Sequence, residues 1–289
     1  MARVTNGLSD DPDNCSAEFR LSITKALSDQ LHKSIQVLPP APLNASTIGA
    51  LHPGGGVYQL YLDGELIYIG KADKSLVDRL SQHERKISGR TGFHESEMTF
   101  TCLYVVEDLS AMAPERLLID HYRGDGRCPW NTNGFGNKDP GRNRDRTLVK
   151  TKHFDAVYPI NLGVEVSVPD EHTTVRAFLD SLKTRLPYTV RFHEDLKKKS
   201  GVALSPLAAG EENAPAEMHF ERVLSSLPEG WQLTALPGYA ILYEESQEYP
   251  SALALSRRLA DGSVKHTAGP RLFDARDPVE DEPADDGTV

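Results

Sequence analysis

Cysteine is scarce in this chain of 289 residues: Cys15, Cys102 and Cys128, with no CxxC pair among them. A disulfide framework or a structural zinc is therefore not expected, and Cys102, set in an apolar run, reads as a buried thiol. Long apolar runs are missing too: no stretch approaches the roughly 20 residues that span a bilayer. The polar, acidic start from Met1 to Asp13 lacks the pattern of a secretory signal, so the reducing cytoplasm is the expected location, with no membrane association. Net positive charge is also absent, since 32 bases face 42 acids for a balance of −10. Spread evenly, that would disfavour a polyanionic partner. It is not spread evenly. From Leu272 onward there are seven acids and one base, which accounts for six of the ten net negative charges. Between Leu51 and Lys150, fourteen bases balance fourteen acids. A nucleic-acid face needs local positive charge rather than a basic total. The strongest local run is Lys138 to Lys152, where Arg142, Arg144, Arg146 and Lys150 outnumber Asp139 and Asp145.

The chain divides by pattern. Residues 1–14 read as a disordered start. Ser16 to Val37 has helical periodicity and stops at Pro39-Pro40-Ala41-Pro42. Val57 to Leu62 and Leu66 to Ile69 read as two strands around Asp63-Gly64, a strong hairpin signal. A helix is expected from about Lys74 to Lys86 with Asp73 as its N-cap. Met98 to Val106 is β-branched and aromatic and reads as a strand. Pro114 opens a helix through Tyr122. Further on, His172 to Leu186 and Glu217 to Leu227 read as helices, Trp231 to Leu236 and Tyr239 to Tyr243 as a hairpin, and Ala252 to Leu259 as a short helix. The expected organisation is α+β: one domain over 15–199 with a small antiparallel sheet flanked by helices and an N-terminal helix, a linker over 200–215, a small C-terminal α+β unit over 216–272 without an assigned role, and an acidic disordered tail over 273–289.

One ordered set of residues points to a chemistry. Tyr58 ends Gly56-Val57-Tyr58 and Tyr68 begins Tyr68-Ile69-Gly70; Arg79, His83, Glu115 and Asn131 follow. Singly, each has a plain structural reading: strand tyrosines, a surface arginine, a half-buried histidine, an acid favoured by a helix start. Together they supply what phosphodiester hydrolysis requires, which is a proton acceptor for water, a grip on the phosphate and a holder for a cation. Glu115 shares a helix face with Leu118, Ile119 and Tyr122, and a carboxylate on an apolar stripe calls for a cation. Arg79 and His83 stand one turn apart, the first suited to a scissile phosphate and the second to a phenol or a proton. Tyr58 can act as base if His83, Lys71 or both lower its pKa. A two-residue Asp63-Gly64 turn pairing Leu62 with Glu65 would put Tyr58 and Tyr68 on opposite faces; a three-residue loop, or a bulge, would put them on one.

The set resembles the GIY-YIG nuclease superfamily, from about Gly56 to Asn143. It is most similar to the type II restriction endonuclease branch whose known members cut CCGCGG, as Gly134-Phe135-Gly136-Asn137-Lys138-Asp139-Pro140-Gly141 and a histidine at His83 suggest. The resemblance implies a sequence-specific DNA endonuclease with Tyr58, Tyr68, Arg79, His83, Glu115, Asn131 and Lys71 as catalytic residues, with Asn133 as competitor to Asn131. It implies one Mg²⁺ per active site, held by Glu115. Double-stranded DNA is the expected partner, contacted by Arg142, Arg144, Arg146 and Lys150 along one extended face. Palindromic sites imply a homodimer, and host protection implies a companion DNA methyltransferase. Another nuclease of the superfamily (homing, repair or mobile-element) and a catalytically silent DNA-binding module are the alternatives.

Overall fold

The structure is a computed structural model that describes residues 23–93, 97–105, 114–123, 127–135, 141–169, 171, 173–198 and 201–276. The expected disordered start, the beginning of the N-terminal helix and residues 277–289 of the acidic tail lie outside these. Among the described residues, no helix is long and apolar enough to cross a membrane.

The N-terminal half carries α1 (Ile23–Gln36), β1 (Ala41–Pro42), α2 (Ala45–Gly49), β2 (Gly56–Leu62), β3 (Glu65–Ala72), α3 (Leu76–Ser88), β4 (Met98–Tyr104), α4 (Pro114–Arg123) and the short α5 (Pro129–Thr132). Its sheet has the order β1-β4-β2-β3 and is antiparallel throughout. Asp63 and Gly64 both take positive φ, 51° and 81°, as a tight type I′ hairpin requires. Helices cover both faces, and two apolar clusters fill the space. Val57, Leu66 and Ile69 pack with Ile35, Leu118, Tyr122 and Cys128 on the side of α1 and α4. Tyr58, Leu60, Ile67 and Tyr68 pack with Leu76, Leu80, Ile87, Trp130, Phe135 and Phe154 on the side of α3. The N-cap of α3 is Ser75, whose hydroxyl accepts from the Asp78 amide, and not the expected Asp73. Cys102 is only half-buried, and Cys128 is the buried thiol.

Beyond a 3₁₀ helix (Arg142–Arg146) and α6 (Phe154–Val157) lies a second layer system. It comprises β5 (Glu165–Ser167), α7 (Val175–Arg185), β6 (Thr189–Phe192), α8 (Glu194–Lys197), β7 (Asn213–Pro215), α9 (Ala216–Ser225), β8 (Trp231–Ala235), β9 (Tyr239–Glu244), β10 (Ala254–Arg258) and β11 (Val264–Ala268). A five-stranded sheet, β11-β10-β8-β9-β6, is antiparallel except for β6 beside β9. Two expectations change here. Ala252 to Leu259 is not a helix: β10 pairs on both sides, with β8 and β11. Residues 200–215 are not an open linker either, because they carry a 3₁₀ turn (Gly201–Leu204) and β7, which pairs with β5. Phe178, Leu182, Val190 and Phe192 share one core with Phe220, Val223, Trp231 and Leu242. Residues on both sides of position 200 thus contribute to one apolar cluster. Asp274 is also tied down, its backbone bonded to Val149 and Thr151, so the tail begins later than residue 273.

Candidate active site

The register of the β2–β3 hairpin decides where the two tyrosines point. Leu62 pairs with Glu65, the two-residue turn that alone would separate them. The ladder then slips between Leu60 and Tyr61, so that Tyr61 opposes Leu66 while Leu60 opposes Tyr68. This bulge turns Ile67 and Tyr68 into the same cluster and restores Tyr68 to the face of Tyr58, with ring centroids 6.1 Å apart. The glycines of the two tripeptides have specific reasons. A Cβ on Gly70 would have Oη, Cζ and Cε1 of Tyr58 within 2.8 Å, because the Tyr58 ring lies across that backbone. One on Gly56 would collide with the β4 backbone at Leu103 and Tyr104.

Helix α3 supplies the next two groups. Leu76, Leu80, His83 and Ile87 form its buried stripe. Tyr58 Oη lies 2.6 Å from His83 Nε2 and accepts from Arg79 Nε at 3.2 Å. With His83 neutral and its Nε2 unprotonated, the phenol donates to it. Burial, with Arg79 and Lys86 adding to it, holds the His83 pKa well below the ordinary imidazole value, in keeping with that role. Tyr58 is fully buried, and burial, then Tyr68, push its pKa up. Burial thus opposes the lowering that a phenolate base would need. Lys71 does not change this: it opposes Val57, on the sheet face turned away from Tyr58, and pairs with Asp73 at 3.4 Å. Tyr68 is likewise raised, by burial and then by Glu115.

Glu115 sits in the first turn of α4, half-buried, with Leu118 and Tyr122 buried on the same face. Its charge is close enough to raise both phenols. Asn131 holds the backbone of the strand that carries Tyr68. Its Oδ1 accepts from the Ile69 amide at 2.9 Å and its Nδ2 donates to the Ile69 carbonyl at 2.8 Å. β3 is an edge strand, so Asn131 satisfies the outward backbone groups at the middle residue of Tyr68-Ile69-Gly70. Asn133 bonds through its backbone, its amide to the Pro129 carbonyl and its carbonyl to the Phe154 amide.

Three neighbours escaped sequence reasoning. Phe135 stacks on His83, centroids 4.7 Å apart at 20°, and meets Tyr68 edge-on at 5.0 Å. Lys86, one turn after His83, donates to the Phe135 carbonyl, lies over the Phe135 and Phe154 rings, and has its pKa lowered by burial to about 8. His153 accepts from Arg144 at 2.7 Å and fills the space that a Cβ on Gly134 would need. The i+3 spacing of Lys86 from His83 was visible in the sequence; the long-range contacts of Phe135 and His153 were not.

The basic loop departs from the expected extended face. Arg142–Arg146 is a 3₁₀ helix, Asp145 within it is buried against Arg191 and Tyr239, and Arg144 turns to His153. Arg146 is exposed and bonded to Gln247, Lys150 is exposed, and the Arg142 side chain lies outside the described residues.

Residues 54–127 match the GIY-YIG catalytic domain. This stretch holds both tyrosines, Arg79, His83 and Glu115, and the match supports a nuclease. In the GIY-YIG domain the four-stranded antiparallel sheet and its flanking helices are the platform on which that site is built. No curated protein matches the chain.

Proposed function

We propose that this protein is a Mg²⁺-dependent type II restriction endonuclease, hydrolysing phosphodiester bonds in double-stranded DNA at a specific sequence. The observation that carries the hydrolytic reading is the Tyr58–His83–Arg79 cluster, brought onto one face of the bulged hairpin within reach of the Glu115 charge. The restriction assignment rests on the sequence resemblance at Gly134 to Gly141 and at His83.

The chemistry follows from proton positions. Tyr58 cannot wait as a phenolate, because its buried environment disfavours that charge. It can act as a relay. As Oη takes a proton from the attacking water, its own proton passes to Nε2 of neutral His83, and no buried phenolate accumulates. The His83 ring is held for this by Phe135 on one face. Arg79 already touches the Tyr58 oxygen and is half-exposed, so it can reach both the relay and a scissile phosphate. Tyr68 packs in the same cluster and would position water or phosphate.

The donor set fits magnesium. Glu115 is one hard carboxylate, and the described residues form no group of three or more His, Cys, Asp or Glu that would enclose an ion. Magnesium characteristically keeps several waters and takes one or two carboxylates plus phosphate oxygens. Bound there, it would supply charge stabilisation at the phosphate and leaving oxygen.

Cutting a palindrome symmetrically takes two sites, which implies a homodimer, and a companion methyltransferase would protect host DNA. Digestion of methylation-free plasmid with Mg²⁺, followed by sequencing of the ends, tests the assignment. Double-strand ends at one palindrome support it. Nicks or asymmetric ends place the enzyme elsewhere among GIY-YIG nucleases. Intact DNA removes the reading.

A further inference from the structure

We infer that the C-terminal sheet is a DNA-binding element: Arg146, Arg257 and Lys265 form one basic ridge that takes backbone phosphates of the duplex. The inference rests on the DNA-cleaving reading above and assigns its partner to a unit that had no role.

The ridge is built across three strands at one level. Gln232 on β8 pairs with Arg257 on β10, which pairs with Lys265 on β11. All three side chains project to the same sheet face, opposite the one packed on α9. Arg257 donates from Nε to Gln232 Oε1 at 3.0 Å, and Gln232 Nε2 donates to the Gln247 carbonyl at 2.7 Å. The Gln247 side chain then accepts from Arg146 at 3.0 Å. Side-chain hydrogen bonds therefore join Arg257 on β10 to the 3₁₀ helix, and Lys265 stands opposite Arg257 on the edge strand. From that 3₁₀ helix Arg144 bonds to His153, which lies over Gly134, the chain neighbour of the Phe135 that stacks on His83. With strands about 4.8 Å apart, the sheet portion alone covers about 10 Å.

Two features mark the ridge as a site for an anion. Arg257 and Lys265 face each other directly, and like charges in a cross-strand pair destabilise a sheet. No carboxylate pairs with Arg146, Arg257 or Lys265 among the described residues, although the chain carries an excess of acids. Of the nearby acids, Glu245 is taken up by the Tyr249 hydroxyl, and Glu248 is exposed beside Gln247. From Ala254 to Arg271, Arg257, Arg258, Lys265 and Arg271 stand against Asp261 alone. A row of cations running from the 3₁₀ helix across β10 to the edge strand fits the regularly spaced phosphates of a duplex.

The test is duplex binding by the full-length protein without divalent metal, measured by fluorescence anisotropy across a salt series. Wild type is compared with Lys265→Gln and with the triple variant Arg146→Gln/Arg257→Gln/Lys265→Gln; glutamine retains hydrogen-bonding capacity, and unchanged thermal midpoints verify folding. Each lost phosphate contact flattens log affinity against log salt by about 0.9. Lys265→Gln should therefore flatten the slope by about one unit and the triple variant by between about two and three, equally for every duplex sequence. Lys265 is exposed on an edge strand, so its single variant reads out even if the triple variant misfolds. Wild-type slopes in both variants would overturn the inference while leaving the nuclease reading intact. A loss confined to one base position would overturn the phosphate assignment. Failure of the wild type to bind any duplex would remove both readings.

Discussion

Gly70→Ala is the smallest change that should disable the proposed site. The added methyl group would have three Tyr58 atoms within 2.8 Å, closer than real Cβ contacts come. The obstacle is a ring that is itself fully buried, with its hydroxyl fixed by His83 and Arg79, so it has no free end to swing away. Overpacking of this kind typically costs about 1–3 kcal/mol. The catalytic penalty should be larger than the stability loss suggests. The ring must move by something on the order of 1 Å, and a displacement of that size can cost about a hundredfold in rate. Gly64→Ala is the control. It has open space around it but a φ of 81°, so it should lose about 1–2 kcal/mol to backbone strain and keep its specific activity. Urea unfolding and single-turnover cleavage, run in parallel, separate the two effects. A Gly70→Ala protein with wild-type stability and rate would refute the placement of Tyr58 over that backbone.

Removing only the Tyr58 hydroxyl, by Tyr58→Phe, should slow cleavage at least about a hundredfold with duplex affinity unchanged, as a single-turnover rate and a binding curve would show. Asn131→Ala strands the Ile69 amide and carbonyl on the edge of the sheet; it should cost about 1–3 kcal/mol in urea unfolding and slow cleavage without altering the Mg²⁺ dependence. His153, held by burial down to about 4, stays neutral in the fold while the unfolded chain takes up a proton below about 6.5. Stability should therefore fall as pH drops from about 6.5 to about 4, by up to about 3 kcal/mol from this residue, and His153→Asn should flatten that part of the stability curve.

Much of the site was legible before any coordinates, for identifiable reasons. The Asp63-Gly64 turn, the amphipathic stripe through Leu76, Leu80 and His83, and the acid on the apolar face of α4 are local patterns, and local patterns survive into the fold. The bulge at Leu60 and Tyr61 was not determined by them: two registers were open, and only packing of Ile67 and Tyr68 against α3 chose between them. Nor does the sequence show that Tyr58 is fully enclosed, which opposes a lowered phenol pKa. Ala252 to Leu259 carries residues that favour helix, yet strands on both sides bond to it, and pairing outweighs propensity. β6 was missed because it is short and gains its place from parallel pairing with β9, some fifty residues away. Its recruitment also merges the segment before residue 200 with the C-terminal core.

The central claim is hydrolysis at one site built around Tyr58 and Glu115. Glu115→Gln, compared with wild type in a supercoiled-plasmid assay with Mg²⁺ and a parallel duplex-binding measurement, tests it most directly. The account predicts that wild type cuts with Mg²⁺ and not with EDTA, and that the variant binds duplex as wild type does but leaves the plasmid intact. Cutting by Glu115→Gln at the wild-type rate would contradict it.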